Sequence, residues 1–215
     1  MKLMPALPES IFDIFYLCFA ISSGYRLLKA SNRRKEIRRM GIAVLVLGCG
    51  DAFHLVPRIL DYWVEGDFTV ALGIGRLVTS VTMTIFYLLL EHVRVDRYKG
   101  EKGRIITKIL WLLAIVRIAL CVFPQNAWTS PDAPVSWGIF RNIPFLAIGV
   151  ITVILWHRGA KEDSIFRFLY LAVLLSFAFY LPVVLLAHKI PLVGMLMLPK
   201  TLMYIWIILM FRKNI

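Results

Sequence analysis

Five basic side chains interrupt long apolar stretches of this chain, well away from its ends. They are Arg58, Arg76, Arg117, Arg141 and Lys200. A charged group inside a segment long enough to cross a bilayer is costly to bury and usually serves a function. Arginine in particular favours planar, bidentate contact with a carboxylate or a phosphate. These residues therefore predict a pocket for an anionic group.

A second polar set lies on one helical face of segment 48–58, which reads GCGDAFHLVPR. Asp51, His54 and Arg58 are spaced at i, i+3 and i+7, which places them on the same side of a helix. Asp51 and His54 are the candidate catalytic residues, because a carboxylate and an imidazole at this spacing suit acid–base chemistry or proton coupling. The same spacing also fits a structural hydrogen-bond network that ties this segment to the apolar runs 69–91 and 190–211, and both interpretations stay open.

A polar stripe runs along segment 73–92, where Arg76, Ser80, Thr84, Tyr87 and Glu91 fall within about 80° at 100° per residue. Glu91 ends the apolar run and is expected to be a solvated helix end. The predicted ligand-binding residues combine the five basic side chains with nearby polar groups of this stripe and of later segments. They are Arg58, Arg76, Ser80, Arg117, Arg141, Asn142, Tyr180 and Lys200.

Few acidic groups are available to balance the buried positive charge. Asp51 is the acid predicted deep inside, and Asp13 contributes from the first apolar segment. Buried charges need partners, so the missing negative charge is expected to come from a ligand. Two alternatives remain: the arginines extend to the headgroups, or Lys200 forms a salt bridge with Asp51.

The composition places the chain in the membrane class. Hydrophobic residues make up 60% of its 215 residues, against about 45–50% in soluble domains. This length leaves room for about seven spans of roughly 20 residues and for no separate soluble domain. We predict an all-α, polytopic, integral membrane seven-helix bundle that forms one domain, 1–215. The apolar runs are 11–28, 40–61, 69–91, 105–123, 136–156, 165–187 and 190–211.

Basic residues alternate between the connections, with eighteen on one side of the predicted membrane and only Lys2 and Lys189 on the other. The eighteen lie in loops 26–39, 94–108 and 158–167 and in the tail at 212–213. This positive-inside pattern predicts an outside N-terminus and a cytoplasmic C-terminus, in a plasma membrane. The net charge of +12 then reflects topology and attraction to anionic membrane lipids, not a nucleic-acid surface.

Other site chemistry finds little support in the sequence. The three cysteines, Cys18, Cys49 and Cys121, fall in apolar segments with no zinc-ligand spacing. No metal and no cofactor is predicted. The N-terminal apolar run contains Asp13 and is interpreted as a retained span rather than a signal peptide.

Three classes of function fit these features. The first is a transporter or ligand-binding membrane protein with a basic pocket in the outer half, for a small anionic solute, an amphiphile or a lipid headgroup. The second is an integral membrane enzyme that processes a lipid with Asp51 and His54. The third is a seven-helix sensor. The sequence favours the first and leaves the ligand, the direction of transport and the oligomeric state open.

The sensor alternative rests on a loose resemblance to microbial rhodopsins. Arg76, Thr79, Met83 and Thr84 are loosely similar to their third helix, and segment 180–184 to their sixth. The resemblance implies a retinal bound to Lys200. The chain departs from that pattern, because Thr79 and Leu196 stand where acidic residues are expected and segment 182–200 is short. Membership of the family is therefore not inferred.

Overall fold

The computed structural model describes residues 3–98 and 104–215, with the side chains of 3–5 and 104 left out. Three lysines that the charge pattern assigned to the N-terminal segment and to loop 94–108 lie outside the described residues: Lys2, Lys99 and Lys102. Seven α-helices account for most of the described chain, and none of its residues form a strand. Their bounds are α1 (Leu3–Lys29), α2 (Lys35–Trp63), α3 (Thr69–Arg97), α4 (Arg104–Val122), α5 (Val135–Gly159), α6 (Leu169–Leu186) and α7 (Met197–Arg212).

The predicted membrane architecture is confirmed at the level of helix number, length and composition. All seven helices are long and apolar enough to cross a membrane, when α7 is taken with the 3-10 turn Pro191–Leu196 that precedes it. Several helices extend beyond the apolar runs. For example, α2 begins at Lys35 rather than residue 40, and α3 ends at Arg97 rather than residue 91. Helical hydrogen bonding continues into charged residues that an apolar pattern leaves out.

The last helix differs from the continuous apolar run that the sequence indicated. Pro199 falls in the first turn of α7, where proline is tolerated because its missing N–H has no helical partner there. An α-helix continuing back through residues 191–196 would place Pro199 in its interior. The chain adopts the 3-10 turn instead, so Lys200 lies in the first turn of α7.

The helices form a closed ring in chain order. Each helix packs against the next, α7 contacts α1, and α3 also contacts α5. We call the end with the α2–α3, α4–α5 and α6–α7 connections the cavity end. The opposite end, with the α1–α2 and α5–α6 connections and the C-terminus, is the basic end. Gly75 permits a close approach of α3 to α2, since a Cβ there would overlap the backbone of Phe53 and His54.

An aromatic cluster fills the middle of the ring. The Tyr87 ring meets Phe86 and Phe145 edge to face, each at 5.4 Å between centroids, and lies 5.5 Å from Phe177. These side chains are at most 6% exposed. Edge-to-face aromatic contacts add about 0.5–1.5 kcal/mol each beyond area burial, so this cluster fixes α3, α5 and α6 relative to each other.

Glu91 and Arg94 form a buried ion pair within α3. Arg94 donates from Nε and Nη2 to the two carboxylate oxygens of Glu91, at 2.8 and 2.9 Å, and both side chains are at most 2% exposed. Thr107 of α4 donates to Glu91 at 3.2 Å. The expectation that Glu91 is a solvated helix end is wrong, because α3 continues to Arg97 and Glu91 lies inside the bundle.

Arg97 joins four parts of the chain at the basic end. Its guanidinium donates to Asp163 at 2.5 Å, to Glu36 at 2.7 Å and to Asn214 at 2.9 Å. It also lies 4.6 Å from the ring centroid of Phe166. The Arg97 cluster, defined by these residues, therefore connects α2, α3, the α5–α6 connection and the C-terminal segment.

Asp163 is the most extensively hydrogen-bonded acid of this cluster. Partial burial works to raise the pKa of its carboxyl, but hydrogen bonds from Arg97, from the backbone of Ile165 and Phe166, and from Tyr98 lower that pKa below its ordinary value of 3.8. A folded-state pKa below the unfolded one stabilises the fold at every pH above the unfolded value. This contribution is lost as the pH falls below about 3.8 through the lowered pKa.

We predict that Asp163→Asn lowers the free energy of unfolding by about 1–3 kcal/mol at neutral pH, because charge-assisted hydrogen bonds are lost. The measurement is thermal unfolding in detergent, followed by tryptophan fluorescence. The matched control is Glu162→Gln, an exposed neighbour, which should leave the transition unchanged. The difference between Asp163→Asn and wild type should shrink below pH 4. Equal effects of the two substitutions would contradict this role for Asp163.

Candidate functional site

The ring encloses a cavity of about 410 Å³ at its cavity end. This volume falls in the range of about 300–1,000 Å³ typical of small-molecule pockets. Side chains from α2 to α7 line it. All eight predicted ligand-binding residues are among them: Arg58, Arg76, Ser80, Arg117, Arg141, Asn142, Tyr180 and Lys200. The structure therefore brings together residues that the sequence distributes over six helices.

Arg117 is the most deeply buried cation of the cavity wall. It lies in α4 and is 2% exposed. Its guanidinium carbon lies 3.2 Å from the ring centroid of Phe145. Its Nε and Nη1 have no hydrogen-bond partner among the described residues. Because an unpaired buried charge is costly, an anionic group beside Arg117, which is among the residues that line the cavity, would stabilise it.

Arg141 is held in place by the connection between α4 and α5. Its Nη1 donates to the side-chain oxygen of Asn126 at 2.9 Å, and its guanidinium lies 4.2 Å from the ring centroid of Trp128. Asn126 in turn donates to the carbonyls of Leu120 and Phe123 at 2.7 and 2.8 Å. The amide thus satisfies carbonyls at the end of α4 and orients Arg141 at the same time.

The α4–α5 connection lies directly on α3. A Cβ at Gly73 would overlap the backbone carbonyl of Trp128, so only glycine permits this approach. The Trp128 indole donates to the carbonyl of Cys121 at 2.8 Å. Sequence reasoning missed both Asn126 and Trp128 as residues of this site. Residues of a loop follow no helical period, and the nearest signal was Pro124, which starts the short 3-10 turn.

Lys200 lies against aromatic rings rather than a carboxylate. It is 8% exposed, and its Nζ lies 4.8 Å from the Tyr180 centroid and 5.5 Å from that of Tyr204. The alternative of a salt bridge to Asp51 is not seen, since no described acid lies within 4.0 Å of Lys200. Tyr180 donates to Asn142 at 2.8 Å, which fixes the ring beneath the ammonium group.

Arg58 has a partner that the sequence interpretation left out. It forms an ion pair with Glu9 of α1. Tyr62 donates to the same carboxylate at 2.9 Å, and Trp63 donates to Ser10 at 3.0 Å. Glu9 precedes the apolar run predicted to begin at residue 11, but α1 begins at Leu3. Glu9 therefore has to be added to Asp51 and Asp13 as an acid that balances the buried cations, because it neutralises Arg58.

Arg76 lies at the mouth of the cavity and is exposed. It forms no ion pair with any described side chain, and it repels Arg141 electrostatically. Ser80 donates to the Arg76 carbonyl at 2.8 Å, so its hydroxyl oxygen remains free to accept. A second, more open cavity adjoins the first, and both are lined by His54, Arg58 and Arg76. These three residues therefore line the route inward.

The candidate acid–base pair is divided between two environments. Asp51 accepts a hydrogen bond from Tyr16 of α1 at 2.6 Å and is not among the described residues that line the cavity. His54 does line the cavity, and its Nδ1 is buried without a partner in the described part of the chain. Asp51 therefore connects α2 to α1, rather than to α3 and α7 as the structural alternative expected.

The described wall of the cavity carries four arginines, one lysine and no carboxylate. Glu9 compensates Arg58 from outside the wall. Arg76, Arg117 and Arg141 have no carboxylate within 4.0 Å among the residues that the structure describes. No protein-family model matches this chain, and no curated protein or solved structure matches it. Function therefore has to be argued from the cavity alone.

We predict that Arg117→Met raises the free energy of unfolding of the ligand-free protein by about 1–2 kcal/mol. Removing an unpaired buried charge should stabilise the fold by more than the loss of the contact with Phe145 destabilises it. The measurement is thermal unfolding in a zwitterionic buffer of low ionic strength.

Arg94→Met is the matched control, because it removes one partner of the buried pair with Glu91 and should cost about 3–5 kcal/mol. If Arg117→Met destabilised the protein as much as Arg94→Met, Arg117 would be a structural residue and not one held ready for a ligand.

Proposed function

We propose that this protein binds a small anionic solute or an anionic lipid headgroup in its basic cavity, as a transporter or ligand-binding protein of a membrane. The observation that carries the proposal is Arg117. Two of its nitrogens are buried and unpartnered beside a cavity whose described wall has no carboxylate. An anion is the group that satisfies both the charge and the hydrogen bonds.

The magnitude of the electrostatic cost supports this argument. Moving a charge out of water costs several kcal/mol even after relaxation. The face of the Phe145 ring returns about 0.5–2 kcal/mol of that. The remainder is available as binding energy for an anion that interacts with Arg117, Arg141 and Arg76 together.

The inner cavity also favours an anion electrostatically. The acids near its opening are Glu9, which pairs with Arg58, and Asp61, which lines the outer cavity but not the described wall of the inner one. The inner wall therefore carries one sign of charge, which raises the local concentration of ligands of the opposite sign.

The membrane orientation follows from charge rather than from the fold. In the sequence, eighteen basic residues fall in loops 26–39, 94–108 and 158–167 and the tail at 212–213, against two in the remaining connections and N-terminal segment, which supports a cytoplasmic basic end and an outside N-terminus. The cavity then opens in the outer half of the plasma membrane, and membrane lipids surround the apolar helix faces.

The geometry of the cavity supports the enzyme and sensor alternatives less well than it supports anion binding. Lipid processing by Asp51 and His54 requires both groups at one substrate, but Asp51 is bonded to Tyr16 and does not line the described cavity wall. For a sensor with retinal on Lys200, Thr79 and Leu196 stand where acidic residues are expected, and no described carboxylate lies within 4.0 Å of Lys200.

We predict that Arg76→Ala and Arg141→Ala each lose an anion that the wild type retains after purification in mild detergent. Each should weaken binding about tenfold or more, because charged hydrogen bonds contribute about 1.5–3 kcal/mol. Native mass spectrometry identifies the retained mass, and thermal shifts with inorganic phosphate and with anionic lipid distinguish a solute from a headgroup.

Arg158→Ala is the control for this experiment, since it removes an exposed arginine at the basic end. If both cavity variants lowered the thermal stability of the bundle but retained the anion as the wild type does, the basic cluster would be structural and the proposal would fail.

The orientation is tested by cysteine labelling in a background in which Cys18, Cys49 and Cys121 are replaced. We predict that Asp132→Cys reacts with a membrane-impermeant maleimide on intact cells. Lys161→Cys, in the α5–α6 connection, should react only after permeabilisation. The reverse pattern would place the cavity on the cytoplasmic side.

A further inference from the structure

A group of unpaired cations lies where α1 connects to α2, at the basic end of the bundle. Six basic side chains of segment 26–38 are exposed, and none has an acid within 4.0 Å among the described residues. We call them the α1–α2 basic patch: Arg26, Lys29, Arg33, Arg34, Lys35 and Arg38. Exposed cations are solvated and need no partner for folding, so this charge is available to a binding partner.

The acid of the same segment is bound elsewhere. Glu36 is the one acidic residue of segment 26–39, and its carboxylate accepts a hydrogen bond from Arg97 of α3 at 2.7 Å. Arg39 pairs with Asp96 at 2.8 Å and is therefore not part of the patch. The charges of this connection are thus separated, with the acid bonded to α3 and six cations left exposed.

The connection is short and folded by its own hydrogen bonds. The Ser31 amide donates to the carbonyl of Leu28 at 3.2 Å, and the Arg34 amide donates to the carbonyl of Ser31 at 2.6 Å. Asn32 and Arg33 have positive φ angles of 35° and 68°, which turn the chain from α1 into α2. The patch is therefore arranged before anything binds, and a pre-formed site loses less entropy on binding than a flexible basic segment does.

An exposed apolar stripe of α1 leads to the patch. Ile14, Ile21 and Tyr25 are 52%, 39% and 64% exposed. At 100° per residue they lie on the same helix face as Lys29. In a bilayer this face contacts acyl chains, and its end at Lys29 lies among the headgroups. Apolar surface followed by cations complements a phospholipid, whose acyl chains adjoin an anionic phosphate.

We infer that the α1–α2 basic patch binds an anionic phospholipid, with the headgroup at the cations and an acyl chain along the stripe of α1. Basic clusters next to membrane-spanning helices attract anionic headgroups, and arginine adds charge-assisted hydrogen bonds to phosphate. The site lies at the end opposite the cavity and does not depend on the proposed function. It differs from a general attraction of the basic end to the membrane, because it assigns the lipid to one connection.

The test compares phosphatidylglycerol with phosphatidylcholine of identical acyl chains, titrated against the full-length protein in detergent and followed by native mass spectrometry. All variants are made in the Arg141→Ala background, which weakens any anion binding in the cavity. Thermal unfolding checks that each variant folds. The patch variant removes three exposed charges: Arg33→Gln, Arg34→Gln and Lys35→Gln combined.

The control removes three exposed charges elsewhere at the same end. It combines Arg158→Gln, Lys161→Gln and Arg167→Gln, at the end of α5 and in the connection to α6. A second control, Arg33→Lys with Arg34→Lys, keeps the charge of the patch and removes only its guanidinium groups.

The Arg141→Ala protein should bind phosphatidylglycerol about tenfold or more tightly than phosphatidylcholine, because several cations near the membrane surface each add to the attraction. That ratio should fall towards one in the patch variant. It should persist in the α5–α6 control and in the lysine variant.

An equal loss in the α5–α6 control overturns the inference, since the attraction would then belong to the whole basic end. Equal binding of the two lipids by the Arg141→Ala protein also overturns it. If the wild type still prefers phosphatidylglycerol in that case, the lipid binds in the cavity, and the proposed function survives the failure of this inference.

Discussion

The burial of Arg117 without a carboxylate is the constraint on which the rest of this structure depends. A guanidinium in a medium of low dielectric needs compensation, and the protein supplies only part of it, through the ring of Phe145 at 3.2 Å. That ring is itself fixed by Tyr87 and Phe177. The aromatic cluster therefore does more than fill the core, because it positions the ring against which the buried guanidinium of Arg117 packs.

The two ends of the bundle treat charge in opposite ways. At the basic end, Arg97 has two acidic partners and Arg39 pairs with Asp96 at 2.8 Å, so these two cations are matched and tie helices together. At the cavity end, only Arg58 has an acidic partner within 4.0 Å among the described residues. Satisfied networks rigidify a structure, whereas partly satisfied ones are costly unless something completes them. This difference supports the proposal that an anion binds at the cavity end.

Helical periodicity explains how much of this site could be predicted. Arg76 and Ser80 lie one turn apart on α3, and an apolar helix in a ring turns its polar face inward, so the eight residues were predictable as a set. Glu9 was not, because it lies in a part of α1 that precedes the apolar run. Asn126 was not, because a loop has no period. The bond from Tyr16 to Asp51 depends on how α1 is rotated against α2, which neither helix encodes alone.

The Arg97 cluster bears on whether the anion is transported or only bound. A binding protein needs no second conformation, and the cluster can stay intact. A transporter has to open its basic end, and a ligand shifts such an equilibrium only by its differential affinity for the two states. Opening would separate Arg97 from Glu36, Asp163 and Asn214, which belong to different parts of the chain. These three contacts of Arg97 contribute about 0.5–3 kcal/mol each, and a transported anion would have to compensate for their loss. An anion that interacts with Arg117, Arg141 and Arg76 together forms contacts of similar energy.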